Sequence, residues 1–381
     1  MKVKTIIRRE LQVIFCRDPL LAFLLLGVGA AYTVLMGLLY SPNLVNDIPL
    51  AIYDEDQTKL SRTLIQDFAD AQKFRIVDYV QSPEELDALM RNKDAYCALA
   101  IPHDFSRKIK TGVGSEVLFE LNGADIVFPG SLLSPAMEVF VDFSRYIGAG
   151  LMEETGQLPP QAIKNVAPIE FRLRALNNPT LNYTSFFVLG ILFTAFQSGV
   201  MMAVSMSMVD EYQNFAELKA IAPAKILFAK LLPYLVMGLA GFAGAIAVAV
   251  KIFDVPYRGD LSSLFLLAGV FILAIITLAS LLPAFFRDKL TCIQLIVAYA
   301  VPCFLFSGYT WPLQAMNIFS RLIAFAIPLT YIADNVRDLA LGGYAPELAG
   351  SIGVLLLFGL VFFTLSAVLF ARQRKRALNI S

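Results

Sequence analysis

Six stretches of this chain run without a charged side chain over lengths that suit a lipid bilayer: 19–40, 183–209, 231–250, 261–286, a fifth opening at Leu290, and 348–371. A helix needs ~20 apolar residues to cross the hydrocarbon core. At that depth every backbone N–H and C=O must find its partner within the protein, which restricts spanning segments to helices and closed barrels. Continuous apolar runs, rather than alternating ones, select helices. Composition agrees: charged residues make up 16% and hydrophobic residues 57%, with mean hydropathy +0.65, where an ordinary soluble domain has about 25% charged residues. The expected fold is a polytopic α-helical membrane protein with six transmembrane helices.

The formal net charge of zero conceals a division. Residues 41–180 hold 13 Lys/Arg against 20 Asp/Glu, and the rest holds 18 against 11. An acidic soluble domain interrupts a basic membrane protein between the first and second spans. Ahead of the first span, residues 1–18 form an amphipathic helix: Val3, Ile6, Ile7, Leu11, Ile14 and Phe15 recur at helical spacing, with Lys4, Arg8, Arg9 and Glu10 elsewhere. That pattern suits a helix lying in the membrane interface. The basic residues before 19–40 place the N-terminus in the cytoplasm by the positive-inside rule, so 41–180 falls outside. Six crossings return the C-terminus to the cytoplasm, where the basic tail 372–381 begins with Arg372-Gln373-Arg374-Lys375-Arg376.

The inserted domain alternates element types. Strands are expected at 48–53, 74–80, 95–101 and 116–121, and a last one at 169–176. Helices are expected over 58–71, from Ser82-Pro83-Glu84-Glu85, from Pro102-His103-Asp104, and over 126–154 until Pro159-Pro160. Ser at the N-cap, Pro at the first helical position and acids in the first turn mark a helix start. The domain is therefore α/β; its strand order is not legible. Asp54-Glu55-Asp56 could bind a cation, but acids after a strand more often cap the next helix.

Between the second and third spans lies a short polar stretch, 210–230. It carries acids, amides, Phe215 and spaced lysines at the membrane surface, as a docking site for a soluble partner would. A coupling helix is expected over 210–225. The fifth run meets Pro302, then Ser307-Gly308 and Pro312, and the following apolar piece carries Arg321. A re-entrant helical hairpin at about 308–330 fits better than a full crossing, since broken backbone at depth requires shelter. Residues 331–347 read as polar and external.

Catalytic signatures are missing. There is no G-x-x-x-x-G-K-[ST] loop, no H-E-x-x-H and no G-x-S-x-G, and His103 is the single histidine. Cys16, Cys97, Cys292 and Cys303 are too dispersed for a disulfide framework or a metal cluster. No catalytic or metal residues are assigned. Within the spans the polar side chains are neutral: Thr194, Gln197, Ser198, Ser205, Thr277, Gln294 and Tyr299. They are candidates for lining a pathway for an amphiphilic or hydrophobic substrate, with ordinary helix packing as the competing explanation.

Taken in order, these features resemble permeases of the ABC-2 family of ABC transporters, of the type with a large periplasmic domain. The carrying residues are Asp210-Glu211, Phe215-Ala216-Glu217-Leu218, Pro223 and Ala229-Lys230. With them stand Ser307-Gly308 with Pro312, Pro49 to Asp56, and Ile101 to Phe105. Asn214-Phe215 stands where the family has Gly-Thr, and Ala229 where it has Gly.

The resemblance implies an inner-membrane exporter subunit that pairs with a second permease copy or a homologous permease and is driven by separate ATPase subunits. ATP and Mg would be used by those partners, with no cofactor bound by this chain. It implies that Glu211, Phe215, Glu217, Leu218, Arg8 and Arg9 couple to the ATPase, and that Ser307, Gly308 and Pro312 shape the hairpin. Drugs, lipids and peptides all remain open as cargo. Membrane lipids and a periplasmic adaptor are further expected partners, and nucleic acid is not. The alternative is a non-transporting scaffold or sensor whose external domain binds a ligand or an envelope protein.

Overall fold

The computed structural model describes residues 3–40, 46–111, 114–122, 127–153, 183–213 and 221–380. The chain divides into two compact units, 44–175 and the remainder.

The inserted unit contains a mixed four-stranded sheet of order β2-β1-β3-β4. Strand β1 (Ile48–Asp54) pairs in parallel with β2 (Phe74–Val80) and β3 (Cys97–Ile101), and β3 pairs antiparallel with β4 (Leu118–Leu121). Alternation sorts the two faces. Ile48, Leu50, Ile52, Cys97 and Leu99 point into one core, and Ala51 and Ala98 into another. The helix Lys59–Asp70 covers the first face through Leu64, Ile65 and Phe68; the helix Pro83–Asn92 covers the second through Leu86. Helices on both faces of parallel strands identify an α/β layer arrangement.

Sequence chemistry sets the helix starts. Thr58 accepts from the backbone of Leu60 and Ser61 in a capping box, and Ser82 accepts from the Glu85 N–H ahead of Pro83. A short helix, Phe105–Lys110, follows β3, and a long one, Val127–Glu153, follows β4. Asp54 caps its own turn: Oδ1 accepts from the N–H groups of Asp56 and Gln57, and Oδ2 from the Ser61 hydroxyl at 2.8 Å. Asp54 of the acidic triplet thus serves the helix start, whereas Glu55 accepts from the Tyr53 hydroxyl and the His103 backbone N–H. The strand expected at 169–176 and the Pro159-Pro160 break lie outside the described residues.

Among the described residues, the other unit contributes six helices long and apolar enough to cross a membrane. An amphipathic helix, α1 (Val3–Gln12), precedes the first span α2 (Pro19–Leu39). Then come α7 (Tyr183–Gln213), α8 (Pro223–Ile252), α9 (Leu261–Ala279) with a short continuation at Leu282–Phe285, α11 (Lys289–Phe306) and α14 (Leu348–Ile380). In this numbering α3 to α6 are the four helices of the inserted unit and α10 is that continuation. A Cβ built on Gly241 of α8 would lie 2.0 Å from the Leu25 carbonyl oxygen, and one on Gly199 of α7 would lie 2.6 Å from that of Leu24. Both carbonyls belong to a π-type turn in α2, Phe23–Gly27. Glycine lets these helices touch where side chains would hold them apart.

Two expectations change in this unit, and the last helix runs on beyond its apolar stretch. Asp210 to Gln213 continue α7 and Pro223 opens α8, so no separate helix covers 210–225 as a whole; 214–220 lie outside the described residues. The basic tail continues the last span as helix through Ile380, and Arg374 donates to the Ile221 carbonyl at 2.6 Å. Residues 331–347 are not a polar external stretch throughout: α13 (Pro328–Arg337) buries Leu329, Ile332, Ala333 and Val336.

Between α11 and α13 the chain turns at Ser307-Gly308, passes a single turn at Leu313–Ala315, and forms α12 (Ile318–Phe325). Gly308 has φ +85°, a left-handed conformation that glycine adopts without steric cost. Arg321 donates to the carbonyls of Leu313, Gln314 and Met316. Its charge is spent on the irregular backbone of its own loop.

Candidate functional site

Glu10, Lys230 and Glu211 interrupt apolar stripes at helical spacing. Ile6, Glu10 and Ile14 follow one another at every fourth position and all are buried. Lys230 sits between Ile226 and Tyr234 at the same interval on α8, and Glu211 follows Ser207 on α7. Helix α1 presses its stripe against α8, so charges on these faces must enter the core. Glu10, Lys230 and Glu211 are 1%, 3% and 4% exposed.

The charges balance. Lys230 Nζ lies 3.0 Å from Glu10 Oε1 and 2.9 Å from Glu211 Oε2, and Arg9 Nη2 lies 2.5 Å from the same Glu211 oxygen and 3.2 Å from Glu10 Oε1. Two cations and two carboxylates alternate, so each charge faces opposite neighbours. Ser207 donates to Glu10 Oε2 at 3.0 Å, and Tyr234 reaches that oxygen at 3.4 Å. Taking such ions out of water costs several kcal/mol each, which mutual attraction and hydrogen bonds offset only when the geometry is close. At the rim, Lys289 meets Asp210 at 2.8 Å. A cavity of about 450 Å³ opens beside the cluster, lined by Arg17, Asp18 and members of the network. The second Glu211 oxygen, Oε1, is buried without a hydrogen-bond partner among the described residues.

The residues expected to couple to a partner separate. Arg9 and Glu211 are joined inside this network, and Arg8 is exposed on α1. Phe215, Glu217 and Leu218 lie outside the described residues. Glu10, Ser207 and Tyr234 were not singled out as site residues from the sequence. The available signal was a charge recurring on an apolar stripe, at Glu10 and again at Lys230.

Several neutral polar residues of the spans bond to nearby backbone carbonyls. Thr194, Ser198 and Thr277 donate to carbonyls one turn back on their own helices, and Ser205 donates to the Ala279 carbonyl at 2.9 Å. Gln294 is exposed on α11, and Tyr299 is half-buried. Gln197 is fully buried on α7, with the Cys303 thiol of α11 as a weak hydrogen-bond partner.

At the hairpin, Ser307 donates to the Phe304 carbonyl and accepts from the Tyr309 N–H, closing the end of α11. Pro312 leads into the single turn. Tyr309 is 2% exposed, and a Cβ on Gly190 would meet its ring at 2.3 Å. The loop is thus seated on α7. Arg337 of α13 lies over the same ring, 5.3 Å from its centroid.

Comparison with known proteins agrees with this architecture. A family model described as ABC-2 family transporter protein matches residues 20–368. The chain is 23% identical over 341 residues to the probable multidrug ABC transporter permease YbhR of Escherichia coli (strain K12), covering 88% of this chain and 89% of that one. It is 29% identical over 151 residues to the probable multidrug ABC transporter permease YbhS of the same organism, 39% and 38% of the two chains. It is 23% identical over 238 residues to ABC transporter G family member 20 of Dictyostelium discoideum, 61% of this chain and 32% of that protein. With a match over nearly its whole length and six membrane-length helices among the described residues, the chain belongs to the ABC-2 family as a transporter permease.

Proposed function

We propose that this chain is the membrane-spanning subunit of an exporter in a bacterial inner membrane, driven by ATP hydrolysis on a separate subunit. In this reading both termini are cytoplasmic and residues 41–180 are periplasmic. Two permeases pair, and the ATPases dock beneath α1 and the 214–222 connection. The observation that carries the proposal is the four-ion network, three of its members buried, joining α1 to α7 and α8. A displacement of α1 by a docked partner is passed to two spans through Glu10, because sliding α1 alone would strip buried charges of their partners. The cargo is an amphiphilic or hydrophobic compound, consistent with the neutral polar residues of the spans and with the multidrug designation of the two Escherichia coli relatives.

The test is gentle extraction of the tagged protein from its native membrane, followed by assay of ATP hydrolysis in the eluate. A P-loop subunit should copurify with activity, and Glu217→Arg should lower that activity while leaving the permease folded. A monodisperse, folded permease that brings neither ATPase nor activity would transfer the assignment to a membrane scaffold or sensor.

A further inference from the structure

The cavity of about 450 Å³ beside the ion network opens where the ends of several membrane helices gather. Arg17 and Asp18 directly precede the first span, Lys289 begins α11, and Asp210 and Glu211 lie in the last turn of α7. Four cations and four carboxylates line the space. Six of these eight charges are paired with one another: Arg9 and Lys230 with Glu10 and Glu211, and Lys289 with Asp210. Arg17 and Asp18 are left, and neither side chain has an ion-pair or hydrogen-bond partner among the described residues. Glu211, 4% exposed, adds a second unsatisfied group: its Oε1 is buried with no hydrogen-bond partner among the described residues. The cavity thus offers one open cation and two open acceptors.

Those open groups select the ligand. A guanidinium such as that of Arg17 takes phosphate oxygens with a fork of N–H donors. Asp18 and Glu211 Oε1 require a donor, and a carboxylate oxygen gains most from a positively charged one. A purely basic pocket at a membrane surface selects anionic headgroups. Here the lining charges balance, so a ligand with a net charge would leave one sign in excess in a partly buried site. A phosphate and a primary ammonium joined by a short linker satisfy both needs and add no net charge. A quaternary ammonium has no N–H and cannot serve Oε1. Location decides how such a group arrives. Phe15 and Leu20, on either side of Arg17 and Asp18, are large apolar side chains left exposed, so the rim lies at the boundary of polar and apolar surface, the level of lipid headgroups. The volume falls within the range of small-molecule sites.

We infer that this cavity holds the headgroup of a phosphatidylethanolamine, with its phosphate at Arg17, its ammonium toward Asp18 and Glu211, and its acyl chains along α2. The inference goes beyond the export reading: the lipid is a resident of the permease rather than its cargo, and its binding needs no ATPase.

Delipidated full-length protein in detergent is incubated with equimolar dioleoyl phosphatidylethanolamine, phosphatidylcholine and phosphatidylglycerol, and retained lipid is counted by native mass spectrometry. The ethanolamine lipid should be retained about tenfold over each of the others, the effect of one charge-assisted hydrogen bond. Glycerophosphoethanolamine, the headgroup without acyl chains, should not displace it at equal concentration; displacement would make a soluble phosphoethanolamine the ligand and remove the lipid. Arg17→Gln should weaken all three lipids, because phosphate is common to them. Asp18→Asn should weaken the ethanolamine lipid alone, by about tenfold. Both positions lie outside the paired charges, so the unfolding temperatures should match the parent. Equal retention of the three lipids, tightest retention of phosphatidylglycerol, or retention of the ethanolamine lipid unchanged in either folded variant would overturn the assignment. The measurement contains no ATPase, so its failure would not touch the export reading.

Discussion

Lys230 and Glu10 carry the most consequence at the residue scale. Replacing Lys230 with Met leaves two buried carboxylates sharing Arg9, and removal of one partner from a buried ionic cluster typically costs 3–5 kcal/mol, so about that loss is expected in unfolding measurements. Glu10→Gln combined with Lys230→Met removes one charge of each sign and should cost less than the sum of the single changes, a coupling that a double-mutant cycle reads directly. Gln197 presents the opposite case. A buried amide with only a thiol to bond leaves donors and acceptors unsatisfied, a liability of about 1–3 kcal/mol, so Gln197→Leu should raise the unfolding temperature; a fall in export by the same variant, with folding intact, would point to contact between the amide and the cargo. In the inserted domain, burial alone would raise the Asp56 pKa, but hydrogen bonds from Ser106 and Thr58 outweigh it and hold the carboxyl below its usual range. A group whose folded pKa is depressed contributes stability that is present above its unfolded pKa and lost as pH falls through the folded value. Thermal unfolding of the full-length protein should therefore show a loss at acid pH below about 4, and Asp56→Asn should flatten that part of the profile.

Elements are held at two close approaches. The π-type turn of α2 brings its carbonyls against Gly199 and Gly241, where backbone meets backbone and no rotamer change relieves a clash. Gly241→Val should separate α2 from α8 and lose assembly in detergent, read as aggregation on size exclusion. At Gly190 the obstacle is the Tyr309 ring, a side chain that can move; Gly190→Ala should be milder and partly relieved by Tyr309→Leu. Ser-Gly and Pro mark the turn after α11 in the sequence, but not its seat. Ser307, Gly308 and Pro312 give local turn chemistry, whereas the pairing of Tyr309 with Gly190 joins residues far apart in the chain. The same separation explains why 210–225 read as one surface helix. Asp210-Glu211 are polar, yet they extend α7, where Lys289 faces the first carboxylate and Lys230 and Arg9 face the second.

For the molecule as a whole, the proposed orientation predicts opposite labelling. Single cysteines at Ser144 and Arg376, in a cysteine-free background, should react with an impermeant maleimide from opposite sides of the membrane, the first from the periplasm; labelling of both from one side would refute the topology. Charge-free runs determined six membrane-length helices, and alternating apolar residues with cap chemistry determined the strands and helices of the inserted unit, because both signals are local and repeat with the period of the element. Tertiary structure alone decided the strand order β2-β1-β3-β4, the burial of α13, and the meeting of Glu10, Arg9, Glu211 and Lys230. Each of these depends on which distant partner offsets a desolvated charge or covers an apolar face, and that partner has no fixed spacing along the chain.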